Sequence, residues 1–189
     1  MPSQDPSRHS QTDVIFVGFA GRIGAGKTSA ARYLSTRYGF QYTRYSQVLN
    51  DWLGAESSGR KTLQEFGWEV MSGGRQAELN ARLIAELDRA RSAAIDGLRH
   101  PIDFECLSQA FGASFRLVFL DAAAQTRFKR KPRFSTYNDF LAADSQPVEA
   151  HIDSLRTLAT ATIPNEESIE DLHDRLDAWL DGYKLRAQI

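Results

Sequence analysis

The chain has 189 residues, 42% of them apolar, a formal net charge of -1 and one cysteine. That length fits a single domain with one core, and a near-zero charge excludes a protein that gathers nucleic acid or acidic membrane by global attraction, so any phosphate recognition must come from local arginine clusters. Cys106 cannot form an internal disulfide, in keeping with a reducing cytoplasm; His9, His100, His151 and His173 lack ligand spacing, and no apolar run nears the ~18 residues of a membrane span.

Residues 1–12 are polar, without the apolar core of a signal peptide, and read as a flexible tail ahead of one domain over 13–185. Val14 to Phe19 is a β-favouring apolar run. It leads into Gly21-Arg22-Ile23-Gly24-Ala25-Gly26-Lys27-Thr28, the full G-x-x-x-x-G-K-[ST] pattern, and Ser29 to Tyr38 then reads as helix. Strand, glycine loop and helix in this order make a phosphate cup. Backbone N–H groups converge on the anion, and the helix turns the positive end of its dipole toward it. Lys27 would reach the β- and γ-phosphates of a nucleoside triphosphate, and the Thr28 hydroxyl would be a ligand of Mg²⁺.

Phe40 to Tyr45 is expected as a second strand. Ser46 is expected to cap a helix over Gln47 to Leu53, ahead of a polar loop from Gly54 to Gly59. In a parallel α/β sheet the carboxyl ends of the strands line the crevice, which puts Tyr45 and Ser46 on the ligand side. Residues 60–71 read as helix with Leu63, Phe66 and Val70 on one face. Arg60 and Gln64, four apart, share another side, suited to a phosphate and a base edge. Gly73 and Gly74 break this helix, and Arg75 opens the next.

Ala93 to Asp96 is a short buried strand ending in an acid, followed by Gly97, Leu98 and Arg99. An aspartate at that strand end can hold a water of the Mg²⁺ shell, and the planar Arg99 guanidinium suits a phosphate. Pro101 starts a helix that runs to Gly112 and carries Cys106 as packing. Phe115 to Asp121 is a nearly continuous apolar strand of the central parallel kind. Asp121 rivals Asp96 for the magnesium role; Asp96 is preferred because Arg99 stands beside it.

Arg127, Lys129, Arg130, Lys131 and Arg133 then place five cations in seven residues. Such a segment can close over transferring phosphates, stabilise their charge and exclude water. A solvated helix face or a nucleic-acid patch are the other uses of that charge. Tyr137 to Leu158 continues as helical pieces broken at Pro147, and Ala159 to Ile163 is the fifth strand. Ser168 caps a closing helix whose packing stripe is Ile169, Leu172, Leu176, Trp179, Leu180 and Tyr183.

Past Thr12 this order of motifs resembles the P-loop nucleoside monophosphate kinase superfamily. Asp96-Gly97-Leu98-Arg99 looks like that superfamily's join between a magnesium-associated acid and a substrate-phosphate arginine. Arg60 to Gly67 is similar to a stretch of bacteriophage-type deoxynucleoside monophosphate kinases, and Ala161 to Asn165 to the segment near the adenine of ATP. The resemblance implies a three-layer α/β/α P-loop fold with a five-stranded parallel sheet, a helical acceptor-binding region over 46–91 and an arginine-rich lid over 124–146. It also implies a part in deoxynucleotide metabolism. ATP and Mg²⁺ would be held by Gly21 to Ser29 with Asn165, a (deoxy)nucleotide acceptor by Ser46, Arg60, Gln64, Arg75 and Arg99. The catalytic set would be Lys27, Asp96, Arg99, Arg127 and Arg130.

Dephospho-coenzyme A kinases share the layout but carry an aspartate just after the second strand, where this chain has Tyr45 and Ser46; Asp51 lies further on. A monophosphate acceptor has a second pKa near ~6 and needs no general base, whereas a hydroxyl acceptor gains from a carboxylate. A nucleotide-dependent switch or ATPase is a further reading; the chain lacks the Asn-Lys-x-Asp guanine signature. A nucleic-acid module using the basic cluster is the third, with steep salt dependence as its mark. Residue types alone leave the acceptor's base and sugar and the oligomeric state open.

Overall fold

Along β1 (Phe16–Ala20) successive side chains leave the chain on opposite faces, and both faces are apolar. This is the pattern of a strand covered on both sides. The computed structural model, which describes residues 14–56, 62–146, 149 and 151–187, puts β1 at the centre of a five-stranded parallel sheet of order β2-β3-β1-β4-β5. The other strands are β2 (Gln41–Arg44), β3 (Ala93–Leu98), β4 (Phe115–Asp121) and β5 (Ala161–Pro164).

The two faces of the sheet carry two cores, giving three layers. Val17, Phe19, Ala94, Val118 and Leu120 face α1 (Lys27–Tyr38) and α9 (Ile169–Ala187) through Ala30, Ala31, Leu34, Leu172, Leu176 and Leu180. Phe16, Ile95, Leu117 and Phe119 face the other way. They pack with α2 (Tyr45–Glu56), α3 (Leu63–Ser72), α4 (Gln76–Ala85), α5 (Pro101–Phe111) and α8 (Ile152–Leu158). The basic segment begins in α6 (Ala124–Lys129) and continues into the connection to α7 (Tyr137–Asp144). No helix among the described residues is long and apolar enough to cross a membrane.

Several expected boundaries move. The helix expected from Gln47 begins at Tyr45 and runs through Gly54 to Glu56, so Ser46 lies in its first turn and caps nothing. The buried Tyr45 and Trp52 on one face of α2 carry the helix past a glycine that the sequence suggested would end it. Residues 57–61, including the rest of the expected loop and Arg60, lie outside the described residues, as do the tail 1–12 and Pro147. The next helix starts at Leu63, capped by Thr62. The Thr62 Oγ1 accepts from Glu65 N (3.2 Å), and the Glu65 carboxylate accepts from Thr62 N (2.8 Å). Ile169, expected in the packing stripe of α9, is an exposed apolar residue at the helix's first turn.

Candidate active site

The glycine loop crosses from β1 to α1 with three residues in conformations that side chains resist. Gly21, Gly24 and Gly26 have φ of 144°, 81° and 104°. At Gly24 space is a second constraint, since a Cβ there would lie 2.7 Å from the carbonyl oxygen of Arg127. Gly26 occupies the N-cap position of α1 and supplies no side chain to bond the first-turn N–H groups. Those donors, with the helix dipole behind them, are left for an anion. The Lys27 ammonium folds back onto the loop and donates to Gly21 O (2.6 Å) and Arg22 O (3.1 Å). Desolvation lowers its pKa to about 8, and the positive charge of Arg99 pushes the same way; Glu149 and Asp96 oppose the shift.

Thr28 and Asp96 meet at the end of that loop. Thr28 Oγ1 donates to Asp96 Oδ2 at 2.7 Å, and the Tyr42 hydroxyl donates to the same oxygen at 3.2 Å. Asp96 is 5% exposed. A hydroxyl and a carboxylate side by side are the oxygen donors that a hard divalent cation takes, and Mg²⁺ is usually held by one or two such groups plus water and substrate phosphates. The rival acid Asp121 lies at the end of β4, and its Oδ1 pairs with Arg156 Nη2 at 2.5 Å. Among the described residues no group of three or more His, Cys, Asp or Glu side chains could hold a metal by itself.

Arg99 directly follows β3, past the irregularity in its pairing with β1 that skips Gly97 (φ 93°). Its backbone is fixed by the buried Asp103 in the first turn of α5, whose Oδ2 accepts from Arg99 N (2.9 Å) and His100 N (3.0 Å). The other oxygen of Asp103 accepts from Gln76 Nε2 (2.6 Å) and Asn80 Nδ2 (2.8 Å) on α4, and Asn80 Oδ1 accepts from the Tyr45 hydroxyl on α2. One buried network thus ties the helical region 45–85 to the segment that presents Arg99. The Arg99 side chain is about half exposed, and its Nη1 lies 3.3 Å from Oε1 of Glu149, a residue buried to 1%.

A cleft of about 270 Å³ opens beside the loop, lined by Gly24, Gly26, Lys27, Thr28, Ser29, Arg130, Lys131, Asn165 and Ile169 among others. The exposed Ile169 offers an apolar surface there. Asn165 Nδ2 donates to Ala25 O (2.8 Å), so this side chain props the loop as well as lining the cleft. Arg130 is held over the same cleft by Asn165 O (2.8 Å) and Glu167 O (3.0 Å).

Arg127 is placed otherwise than expected of a lid arginine. It is 5% exposed, makes a two-pronged pair with Asp144 (2.6 and 2.9 Å), and donates to Ala122 O (2.9 Å) and Ile23 O (3.0 Å). With both ends of the guanidinium engaged, it supports the loop from behind. Arg22, inside the motif, joins this assembly by donating to Asp144 and Asp153. The hydrogen bond to Asp153 raises the Arg22 pKa, and that same bond lowers the Asp153 pKa.

The expected acceptor residues are only partly brought together. Ser46 Oγ accepts from Arg44 Nε (2.7 Å), at the end of β2 where Arg44 is level with Asp96. Arg75 stacks on the Trp52 ring, its guanidinium carbon 4.4 Å from the centroid, and pairs with Glu78 at 3.0 Å. Gln64 lies in α3, but its side chain, like Arg60 as a whole, is outside the described residues. Asp51 is exposed on α2, where its Oδ1 accepts from Gln47 Nε2 (2.9 Å). Glu149, Asp144 and Asp153 were missed from the sequence. Only Asp103 had a readable signal, as an acid near the start of a proline-led helix.

No protein-family model matches the chain, and no curated protein matches it. Solved structures do. The APS kinase of Mycobacterium tuberculosis, in complex with AMPPNP and APS, aligns at 13% identity over 89% of this chain and 98% of its own, with a TM-score of 0.62. The shikimate kinase of Acinetobacter baumannii, in complex with shikimate, aligns at 18% identity over 95% and 99%, with a TM-score of 0.58. A gluconokinase of Sinorhizobium meliloti 1021 aligns at 13% over 92% and 95%, with a TM-score of 0.55. At these identities what is shared is the fold: the chain has the three-layer α/β/α architecture of these small-molecule kinases.

Proposed function

We propose that the protein transfers the γ-phosphoryl group of Mg·ATP to a (deoxy)nucleoside monophosphate. The observation that carries this reading is the layout at the carboxyl edge of the sheet, where the Thr28–Asp96 pair sits beside the glycine loop and Arg99, half exposed and fixed through its backbone by Asp103, follows three residues after Asp96. Lys27 in the loop and Arg99 after β3 are then two cations suited to the donor phosphates and to the acceptor phosphate respectively. The fold kinship with a kinase described with the ATP analogue AMPPNP supports ATP as the donor.

The roles follow from the chemistry. Gly21 to Ser29 bind the triphosphate through backbone N–H groups, and Lys27 moves from the loop carbonyls to phosphate oxygens. Thr28 and, through water, Asp96 would hold Mg²⁺, which withdraws charge from the phosphate oxygens when bound. Arg99 orients the acceptor phosphate, already a nucleophile at neutral pH, so no general base is required. Arg130 lines the donor side. Ser46, Arg60, Gln64 and Arg75 remain proposed contacts of the acceptor's nucleoside, on the helical region that the Asp103 network links to Arg99.

The test is ADP release across the ribo- and deoxyribonucleoside monophosphates, with dephospho-coenzyme A, gluconate, shikimate and water as the other arms. Turnover that depends on one or a few monophosphates is expected. Preference for a hydroxyl compound would replace the acceptor class, and equal release in water alone would make the protein an ATPase.

A further inference from the structure

Glu149 is the one buried side chain among the described residues left with a polar atom lacking a hydrogen-bond partner: its Oε2 bonds to nothing. The residue is 1% exposed, and its other oxygen, Oε1, has a single, long contact of 3.3 Å to Arg99 Nη1. Its charge also reaches Lys27. An unpaired carboxylate oxygen held away from water costs free energy unless a donor completes it, and such atoms gather where a ligand supplies the donor. Lys27 donates to the loop carbonyls and Thr28 to Asp96, and neither bonds Oε2.

We infer that Glu149 is a positioning and recognition residue of the acceptor site: Oε1 anchors the Arg99 guanidinium, and Oε2 accepts a hydrogen bond from a hydroxyl that the acceptor brings. The inference rests on the reading that the acceptor binds at Arg99. It narrows the acceptor to a hydroxyl-bearing molecule, for a nucleotide one whose sugar hydroxyl lies near its phosphate. A dianionic phosphate cannot itself satisfy Oε2, because it has no proton to donate and carries the same sign of charge. Arg99, with half its surface open, can hold the carboxylate with one nitrogen and the phosphate with others.

The experiment compares wild type, Glu149→Gln and Glu149→Ala with ribo-, 2′-deoxy- and 3′-deoxynucleoside monophosphates of whichever base the wild type accepts. Glu149→Ala should raise the acceptor KM by about 10- to 100-fold and the ATP KM by much less, as expected for a lost hydrogen bond to a charged group, and Glu149→Gln should recover part of the acceptor loss. Removing the recognised hydroxyl should penalise wild type far more than Glu149→Ala. Equal penalties in both proteins for every analogue would overturn the hydroxyl contact. The anchor is read separately, by phenylglyoxal labelling of Arg99 followed by peptide mass spectrometry without substrate. Several-fold faster labelling in both variants is expected, and an unchanged rate overturns the anchor. A wild type that turns over no monophosphate defeats the acceptor reading and the hydroxyl contact with it, while the labelling still decides the anchor. Matching thermal melting curves show that the variants fold.

Discussion

Thr28 and Asp96, 68 residues apart in the chain, are joined by a 2.7 Å hydrogen bond at the carboxyl edge of the sheet. The pairing of β1 with β3 makes this possible, because it sets Phe19 opposite Asp96 and so brings the acid to the level at which the glycine loop departs. A carboxylate in that place, buried and holding the motif hydroxyl, is suited to order a metal's water. Asp96→Asn keeps the shape and removes the charge. It should raise the Mg²⁺ concentration needed for half-maximal phosphotransfer and lower kcat by about 100-fold or more. An unchanged magnesium titration of ADP release would take Asp96 out of the site; the same substitution at Asp121, which pairs with Arg156, should leave the titration alone.

Burial lowers the Lys27 pKa to about 8, and the positive charge of Arg99 adds to the shift. A bound polyphosphate favours the ammonium, so its pKa rises on binding. The sign follows directly. Above pH 8 the free protein has lost much of this proton and the complex keeps it, so ATP binding takes up a proton and affinity falls as pH rises. Below about pH 7 both states hold the proton and no uptake occurs. Calorimetry of Mg·ATP binding at pH 8.5 in two buffers of different ionisation enthalpy should show fractional proton uptake that disappears at pH 6.5. Zero uptake at both pH values would contradict the assignment of Lys27 to the phosphates. Lys27→Ala should retain the fold and lose turnover by orders of magnitude.

Much of this architecture is legible in the sequence, and the reasons are physical. Near-continuous apolar runs mark buried parallel strands such as Phe115 to Asp121, and the glycine loop is specified by backbone conformations that only certain residues reach. Arg127 is the instructive failure. Five cations in seven residues give one local signal whether they are solvated or buried, and what distinguishes Arg127 is Asp144, 17 residues later, which no spacing rule connects to it. Ser46 and Ile169 fail for a related reason. Helix ends are decided by tertiary burial, here of Tyr45 and Trp52, and a residue on an apolar stripe can border a cleft when it stands in the first turn. Glu149 carries no motif at all; only its burial beside Arg99 makes it visible.

The Arg127–Asp144 pair is buried on both sides, with 6% and 8% of the side chains exposed. Removing one partner leaves the other charge uncompensated, whereas removing both does not. Asp144→Ala should therefore lower unfolding stability by about 3–5 kcal/mol. The double variant Arg127→Met with Asp144→Leu should recover most of it. Because Arg127 also donates to Ile23 O, the double variant should still bind ATP more weakly than wild type. Urea denaturation and nucleotide titration separate the two effects. If Asp144→Ala unfolds at the wild-type urea midpoint, the pair does not carry the stability assigned to it.

Arg99 and Arg130 give a way to separate the two sides of the site. Arg130 is tied to the carbonyls of Asn165 and Glu167 along the donor cleft, while Arg99 is tied through its backbone to Asp103 and, by way of that acid, to the helices proposed to hold the acceptor. Arg130→Ala should raise the KM for ATP, by about tenfold for the loss of a charged contact, and leave the acceptor KM within a factor of two. Arg99→Ala should do the reverse: ATP binding is kept, the acceptor KM rises and kcat falls, because the phosphate is no longer oriented for in-line transfer. Steady-state kinetics with each substrate varied in turn decides the matter. If both substitutions moved both constants together, the cleft beside the loop and the crevice at Arg99 would not be separate binding sites, and the division of labour between donor and acceptor would have to be redrawn.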